Sequence, residues 1–107
     1  MINDALFYDS YEIIGGEKIF APSAPVFHSG ILFRLGLTIG NYVVEKNCGY
    51  VFVDDVDVHL PDGNFFKPDL VVITAENSGI INWRGAINGV PDMVVEVKLN
   101  DIFAWGY

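Results

Sequence analysis

Two short runs in the second half of the chain carry the residue types that could do chemistry. The first reads Phe66-Lys67-Pro68-Asp69-Leu70-Val71-Val72-Ile73, and the second Val90-Pro91-Asp92-Met93-Val94-Val95-Glu96-Val97-Lys98. Two carboxylates and one amine set on β-branched runs are the minimal equipment for divalent-metal phosphodiester hydrolysis: the acids hold the ion and the amine orients a water. Residues two apart on a strand point the same way, so Glu96 and Lys98 share a face while Val95 and Val97 take the other. Both runs are otherwise apolar on both faces, the pattern of central, buried strands. An acid and an amine there are costly to desolvate unless paired or bound to a metal.

Strand geometry selects the partner of Glu96. Asp92 has the same parity but lies roughly 13 Å away at about 3.3 Å per residue, so the two cannot share one ion. Asp69 opens a different strand, which can pair alongside at about 4.8 Å. The expected site holds Asp69, Glu96, the backbone carbonyl of Val97 and waters, an all-oxygen set suited to Mg2+ or Mn2+. The plainer alternative makes Asp69 a turn acid at a strand end and Glu96 a salt-bridge partner of Lys98. Asp92 reads as a turn acid. His28 is either a capping or solvated residue at a helix start or a contributor to the site. Glu45 is either a surface acid or an additional site acid. Asp55, Asp57 and His59 spread over roughly 13 Å at i, i+2, i+4 spacing and read as a solvated strand face.

The elements that must position these residues follow from local patterns. Tyr11-Glu12-Ile13-Ile14, Gly15-Gly16 and Glu17 to Ala21 predict a hairpin, the glycine pair supplying the positive φ of a two-residue turn. Ser23 is the expected N-cap and Pro25 fits the first turn of a helix. Phe27, Ile31, Leu35, Ile39 and Val43 recur at helical spacing to about Lys46, with Gly49 as the stop. Gly30, Gly36 and Gly40 predict close backbone approach. Three strands should follow: Gly49–Leu60 with a bulge at Asp54-Asp55, Phe66–Thr74, and Pro91–Leu99. Ala75–Gly89 reads as a polar loop with Trp83 as an unexplained anchor. The order is α+β: an N-terminal hairpin and one long helix packed on a mostly antiparallel sheet.

The bulk properties bound the possibilities. A chain of 107 residues, 51% of them apolar, forms one domain that buries roughly 65% of its unfolded surface. Fourteen acids against six bases give a net charge of −8, which disfavours non-specific binding to a phosphate backbone and weighs against a nucleic-acid substrate. Cys48 is the sole cysteine, so no internal disulfide forms and a reducing, cytoplasmic setting is expected. The N-terminus has no secretory-signal pattern, and no run approaches the ~20 apolar residues of a membrane span.

The ordered context is more specific than the motif. Pro68-Asp69 followed by Glu96-Val97-Lys98 resembles the PD-(D/E)XK nuclease superfamily, and the wider series resembles its Uma-type restriction endonuclease family. Tyr11-Glu12-Ile13-Ile14 with Gly16-Glu17 is similar to the family's opening hairpin, and Ala24-Pro25 with His28 to its helix entry. Gly49-Tyr50-Val51 leading to Val58-His59-Leu60-Pro61 is similar to its next strand. Lys67–Val72 and Gly89–Val97 are similar to its two core strands. The resemblance covers residues 11 to 98. It implies a single restriction-endonuclease-like domain over 1–107 that hydrolyses DNA with Mg2+. Asp69 and Glu96 would be its metal-binding catalytic acids, and Lys98 would assist the water.

The family pattern continues after Glu-Val with a Ser-Pro-Ser/Thr loop, a helix carrying Asp, Lys and Tyr, and further strands. Here Lys98 to Tyr107 stands in their place, so the chain reads as C-terminally truncated. Lys98 is then either the superfamily lysine or part of a divergent end. The second expectation is therefore a catalytically inactive remnant that persists as a homodimerisation or protein-interaction module. The acidic charge and the apolar tail from Ile102 to Tyr107 support it. A homodimer is expected under both readings.

Overall fold

The computed structural model describes residues 11–20, 25–54 and 56–98. The expectations placed on Ser23, Ala24, Asp55 and the tail after Lys98 fall outside them.

Gly15 and Gly16 both take positive φ, 60° and 85°, and join β1 (Tyr11–Ile14) to β2 (Glu17–Phe20) in the register Ile14↔Glu17. This is the expected two-residue hairpin. Helix α1 runs Val26–Lys46, with Pro25 extended before it and no side-chain cap. It stops at Asn47 rather than Gly49: Asn47 is left-handed (φ 50°, ψ 44°), and its N–H reaches back to the carbonyls of Val43 and Val44. Asparagine tolerates this conformation. Gly49 is needed for space instead, because a Cβ there would strike the carbonyl oxygen of Ile73. Of the three helix glycines, only Gly36 marks a close approach, with Val53 Cγ1 3.1 Å from where its Cβ would sit. Gly30 and Gly40 face open space, which corrects the expectation for those two.

The three strands expected after the helix are six. They are β3 (Gly49–Val53), β4 (Val58–His59), β5 (Phe65–Phe66), β6 (Leu70–Thr74), β7 (Ile87–Asn88) and β8 (Met93–Val95). They divide between two sheets, ordered β2-β1-β5-β4-β7 and β3-β6-β8. All pairings are antiparallel except β4 with β7. Two interruptions cause the split. Asp54 adopts φ 58°, and Pro68, which has no N–H to give, precedes Asp69. The Asp54 N–H donates to the Asp69 carbonyl at 2.9 Å. This is the last rung before both segments leave the three-stranded sheet for the other.

The strands of the small sheet use both faces. Val53, opposite Leu70, meets α1 at Gly36. Val71 and Ile73 point the other way and form a buried cluster with Val58 and Ile87 of the five-stranded sheet. Ala75–Gly89 is more ordered than a loop: Ala75–Ile80 is a 3-10 helix and β7 follows. Trp83 packs edge-on against Tyr50 and Phe52, at 5.4 and 5.5 Å between ring centroids, which explains the anchor.

Candidate active site

The β6–β8 register is Leu70↔Val95, Val71↔Val94, Val72↔Met93. Extended by one pair, it sets Asp69 opposite Glu96. Neither residue lies within a strand. β8 ends at Val95 rather than Leu99, so Glu96, Val97 and Lys98 sit just beyond it. The cause is local: the Val97 N–H donates to Asp69 Oδ2 at 2.7 Å, so a side chain takes the place of a backbone rung. β8 is also the edge of its sheet among the described residues, with Met93 and Val94 exposed. The expectation of a central, buried strand holds for β6, where Leu70, Val71 and Ile73 are fully buried, and fails for β8.

Asp69 is held on two sides. Besides the Val97 N–H, its Oδ2 accepts from His28 Nε2 at 3.2 Å. His28 stands in the first turn of α1, whose packing on β3 aims it at the strand end. Both bonds fall on Oδ2, and Oδ1 accepts none from a described residue. One oxygen thus fixes the carboxylate and the other remains available to a ligand.

Glu96 feels the negative charge gathered here. Its carboxyl is pushed up to about 7, first by partial burial, then by Asp69 and Glu12, against the opposing pull of Lys98 and His28. Like charges and desolvation both penalise the ionised form. The structure therefore brings together Asp69, Glu96, Lys98 and His28. It does not bring in Glu45. That residue is in the last turn of α1, about 25 Å along the helix from His28 at 1.5 Å per residue, and is an exposed acid.

Glu12 is the member the sequence reading missed. It lies on β1, is half-buried, and its Oε2 accepts the Lys67 N–H at 2.8 Å. This ties the hairpin to the segment that leads into Asp69. An acid within Tyr-Glu-Ile-Ile is an available signal, but its distance in sequence from Asp69 conceals the proximity. Asp57 pairs with Lys67 at 2.8 Å and His59 stacks on Phe65 at 4.6 Å, so both have structural partners.

Among the described residues no group of three or more His, Cys, Asp or Glu side chains is gathered closely enough to hold a metal ion. The oxygens that could take part in holding a cation are the Asp69 and Glu96 carboxylates with backbone oxygen and water, a donor set of the kind hard cations accept.

One long helix laid on mostly antiparallel strands is an α+β fold. A crystal structure of a putative nuclease belonging to DUF820 from Anabaena variabilis superposes with a TM-score of 0.65 at 20% identity. The alignment covers 89% of this chain and 56% of that one, so this chain spans little more than half the length of its structural neighbour. The chain belongs to the Uma2 family, described as putative restriction endonuclease, whose sequence profile matches residues 8–101. No curated protein matches it. No helix among the described residues is long and apolar enough to cross a membrane.

Proposed function

We propose that this chain is a metal-dependent phosphodiesterase domain acting on DNA, with Asp69 and Glu96 as its metal-binding acids and Lys98 as its water-orienting amine. The observation that carries the reading is the β6–β8 register, which extended by one pair sets Asp69 opposite Glu96, with Asp69 Oδ2 tied to the Val97 N–H at 2.7 Å. Burial and the charge of Asp69 both penalise the ionised Glu96 carboxyl, and a cation between the two acids would offset that penalty. Membership in the Uma2 family supports the nuclease class.

The chain's own residues divide the work. Asp69 Oδ1, the Glu96 carboxylate and the Val97 carbonyl would hold Mg2+ or Mn2+. When bound, the ion supplies Lewis-acid polarisation of the phosphodiester. His28 and the Val97 N–H keep Asp69 in one rotamer. Lys98, next on the Glu96 side of the chain, orients the attacking water and offsets charge on the phosphate. Glu12 holds the Lys67 backbone and adds to the negative field.

Plasmid nicking with Mg2+ or Mn2+ tests the assignment. Activity lost in Asp69→Ala and Glu96→Ala, with metal binding lost in parallel by calorimetry, is the expected result. No metal binding by the wild-type chain at millimolar concentration would sink it. The net charge of −8 and the exposed apolar side chains of α1 favour a second reading, an inactive homodimerisation or interaction module. Retained fold and self-association without metal binding would select it.

A further inference from the structure

Helix α1 carries two apolar faces, about a third of a turn apart at 3.6 residues per turn. One face, with Leu32 and Val43 buried, packs on the small sheet. The other carries Val26, Gly30, Phe33, Leu37, Gly40 and Val44, spaced in alternating steps of four and three. That repeat keeps a straight stripe along a helix and is the seam of a helix pair. Val26 is 89% exposed, Phe33 69%, Leu37 52% and Val44 77%. Large apolar side chains gathered on one exposed stripe mark an interaction surface. The two glycines on the stripe have nothing within 4 Å of an added Cβ, so another helix could approach there at backbone distance.

The flank of the stripe indicates what covers it. Arg34 and Glu45 lie about three turns apart, and therefore on the same side of the stripe at 3.6 residues per turn. Neither makes an ion pair among the described residues. Their midpoint falls between Ile39 and Gly40. In an antiparallel pair of identical helices related by a twofold axis at that point, each Arg34 stands beside its mate's Glu45. Leu37 then enters the gap between Gly40 and Val44 of the mate, and the crossing falls on Gly40, where no side chain keeps the backbones apart. A two-fold interface is self-complementary by construction, which the C-terminal half of the stripe satisfies, with Gly40 beside the axis and Arg34 and Glu45 oppositely charged and equidistant from it.

We propose that the outer face of α1 is a homodimer interface, formed by antiparallel pairing of two copies about Gly40. The surface lies about a third of a turn around the helix from the residues packed on the sheet, and its paired half, from Phe33 to Val44, stands apart from the acid site. The proposal does not depend on the nuclease reading.

Sedimentation equilibrium on the 107-residue chain tests it. The wild type should dimerise. Leu37→Glu should weaken the dimer about a hundredfold, since two charges would enter an apolar seam. Arg34→Glu and Glu45→Arg should each weaken it about tenfold, and the double exchange should restore it. Circular dichroism should stay unchanged, because these side chains face solvent in the monomer. A wild-type monomer at the highest soluble concentration overturns the proposal, as does a dimer indifferent to Leu37→Glu. Failure of the double exchange to rescue overturns the antiparallel register. A monomer whose stripe becomes covered only when another protein is added would assign the face to a different partner.

Discussion

The chain contains the dipeptide Pro-Asp ahead of an apolar run twice, and the structure puts the two to the same backbone task with different consequences. Asp69 opens β6 and accepts the N–H of Val97, just past the end of β8, at 2.7 Å. Asp92 opens β8 and accepts the N–H of Thr74, at the end of β6, at 2.7 Å. The two strands are antiparallel, so the clasps are related by a local pseudo-twofold. The surroundings differ. Asp92 receives a second bond from the Asn77 amide at 3.2 Å, and the Thr74 N–H and that amide hold its carboxyl below the usual carboxylate value. Asp69 stands beside Glu96, whose carboxyl is raised first by burial and then by Asp69 and Glu12, against Lys98 and His28. One clasp is content with its neighbours. The other borders a carboxyl whose ionised form is penalised by burial and by like charge. A shared motif therefore does not define a site; the charges that converge on it do.

Substitutions can break the comparison. The largest contrast is in catalysis: Asp69→Ala or Glu96→Ala should reduce metal-dependent nicking by at least about a thousandfold, while Asp92→Asn should change it by less than about threefold. Plasmid assays at fixed metal concentration read this directly, and equal losses at Asp69 and Asp92 would erase the distinction. Next is His28→Ala, which removes one of the two restraints on Asp69. About tenfold weaker metal affinity is expected by calorimetry, with His28→Gln, which keeps a donor, recovering part of it.

A smaller effect differs in sign. Asp69→Asn keeps an acceptor for the Val97 N–H and relieves repulsion, so the metal-free protein should melt at a higher temperature. Asp92→Asn weakens two bonds to a stabilised carboxylate, so its melting temperature should fall. Calorimetric scans without metal decide it, and shifts of the same sign would show that the two aspartates have the same energetic role.

The subtlest test is pH. The Glu96 carboxyl sits at about 7 when folded against an ordinary 4.5, so protonation favours the fold. Its contribution is complete below about 4.5 and is lost as pH climbs through about 7. The Asp92 carboxyl lies below its ordinary 3.8, so its contribution is present above that value and is lost as pH falls through the folded value. Metal-free stability should accordingly decline from mildly acidic to neutral pH in the wild type, and Glu96→Gln should flatten that decline. An unchanged slope in Glu96→Gln would locate the effect elsewhere.

Much of this was legible in the residues. The Gly15-Gly16 turn, the span of α1 and the pairing of the Asp69 and Glu96 strands each follow from local rules of turn chemistry, helical period and strand spacing. The division into two sheets was hidden, because nothing in Phe66–Thr74 beyond Pro68 announces that one apolar run serves two sheets. Glu12 was hidden for a different reason: it reaches the site only after β1 pairs with β5, a long-range contact that no local pattern encodes. Gly30 and Gly40 predict close approach of a sheet or another helix and meet neither within the described chain, because spacing alone does not say which side of a helix the fold will cover. Glu45 was considered because it is acidic, and helix rise removes it from the site.

The rung between Asp54 and Asp69 has a mechanical consequence. Two segments leave the small sheet at that point, yet Val71 and Ile73 of that sheet share one buried cluster with Val58 and Ile87 of the other. Glu12 belongs to one sheet, Glu96 follows a strand of the other, and Asp69 stands where they meet. A load applied to Asp69 and Glu96 would therefore pass to both sheets through their common core. The amides of Asp54 and Lys67, bonded to Asp69 and Glu12, are the nearest reporters of it.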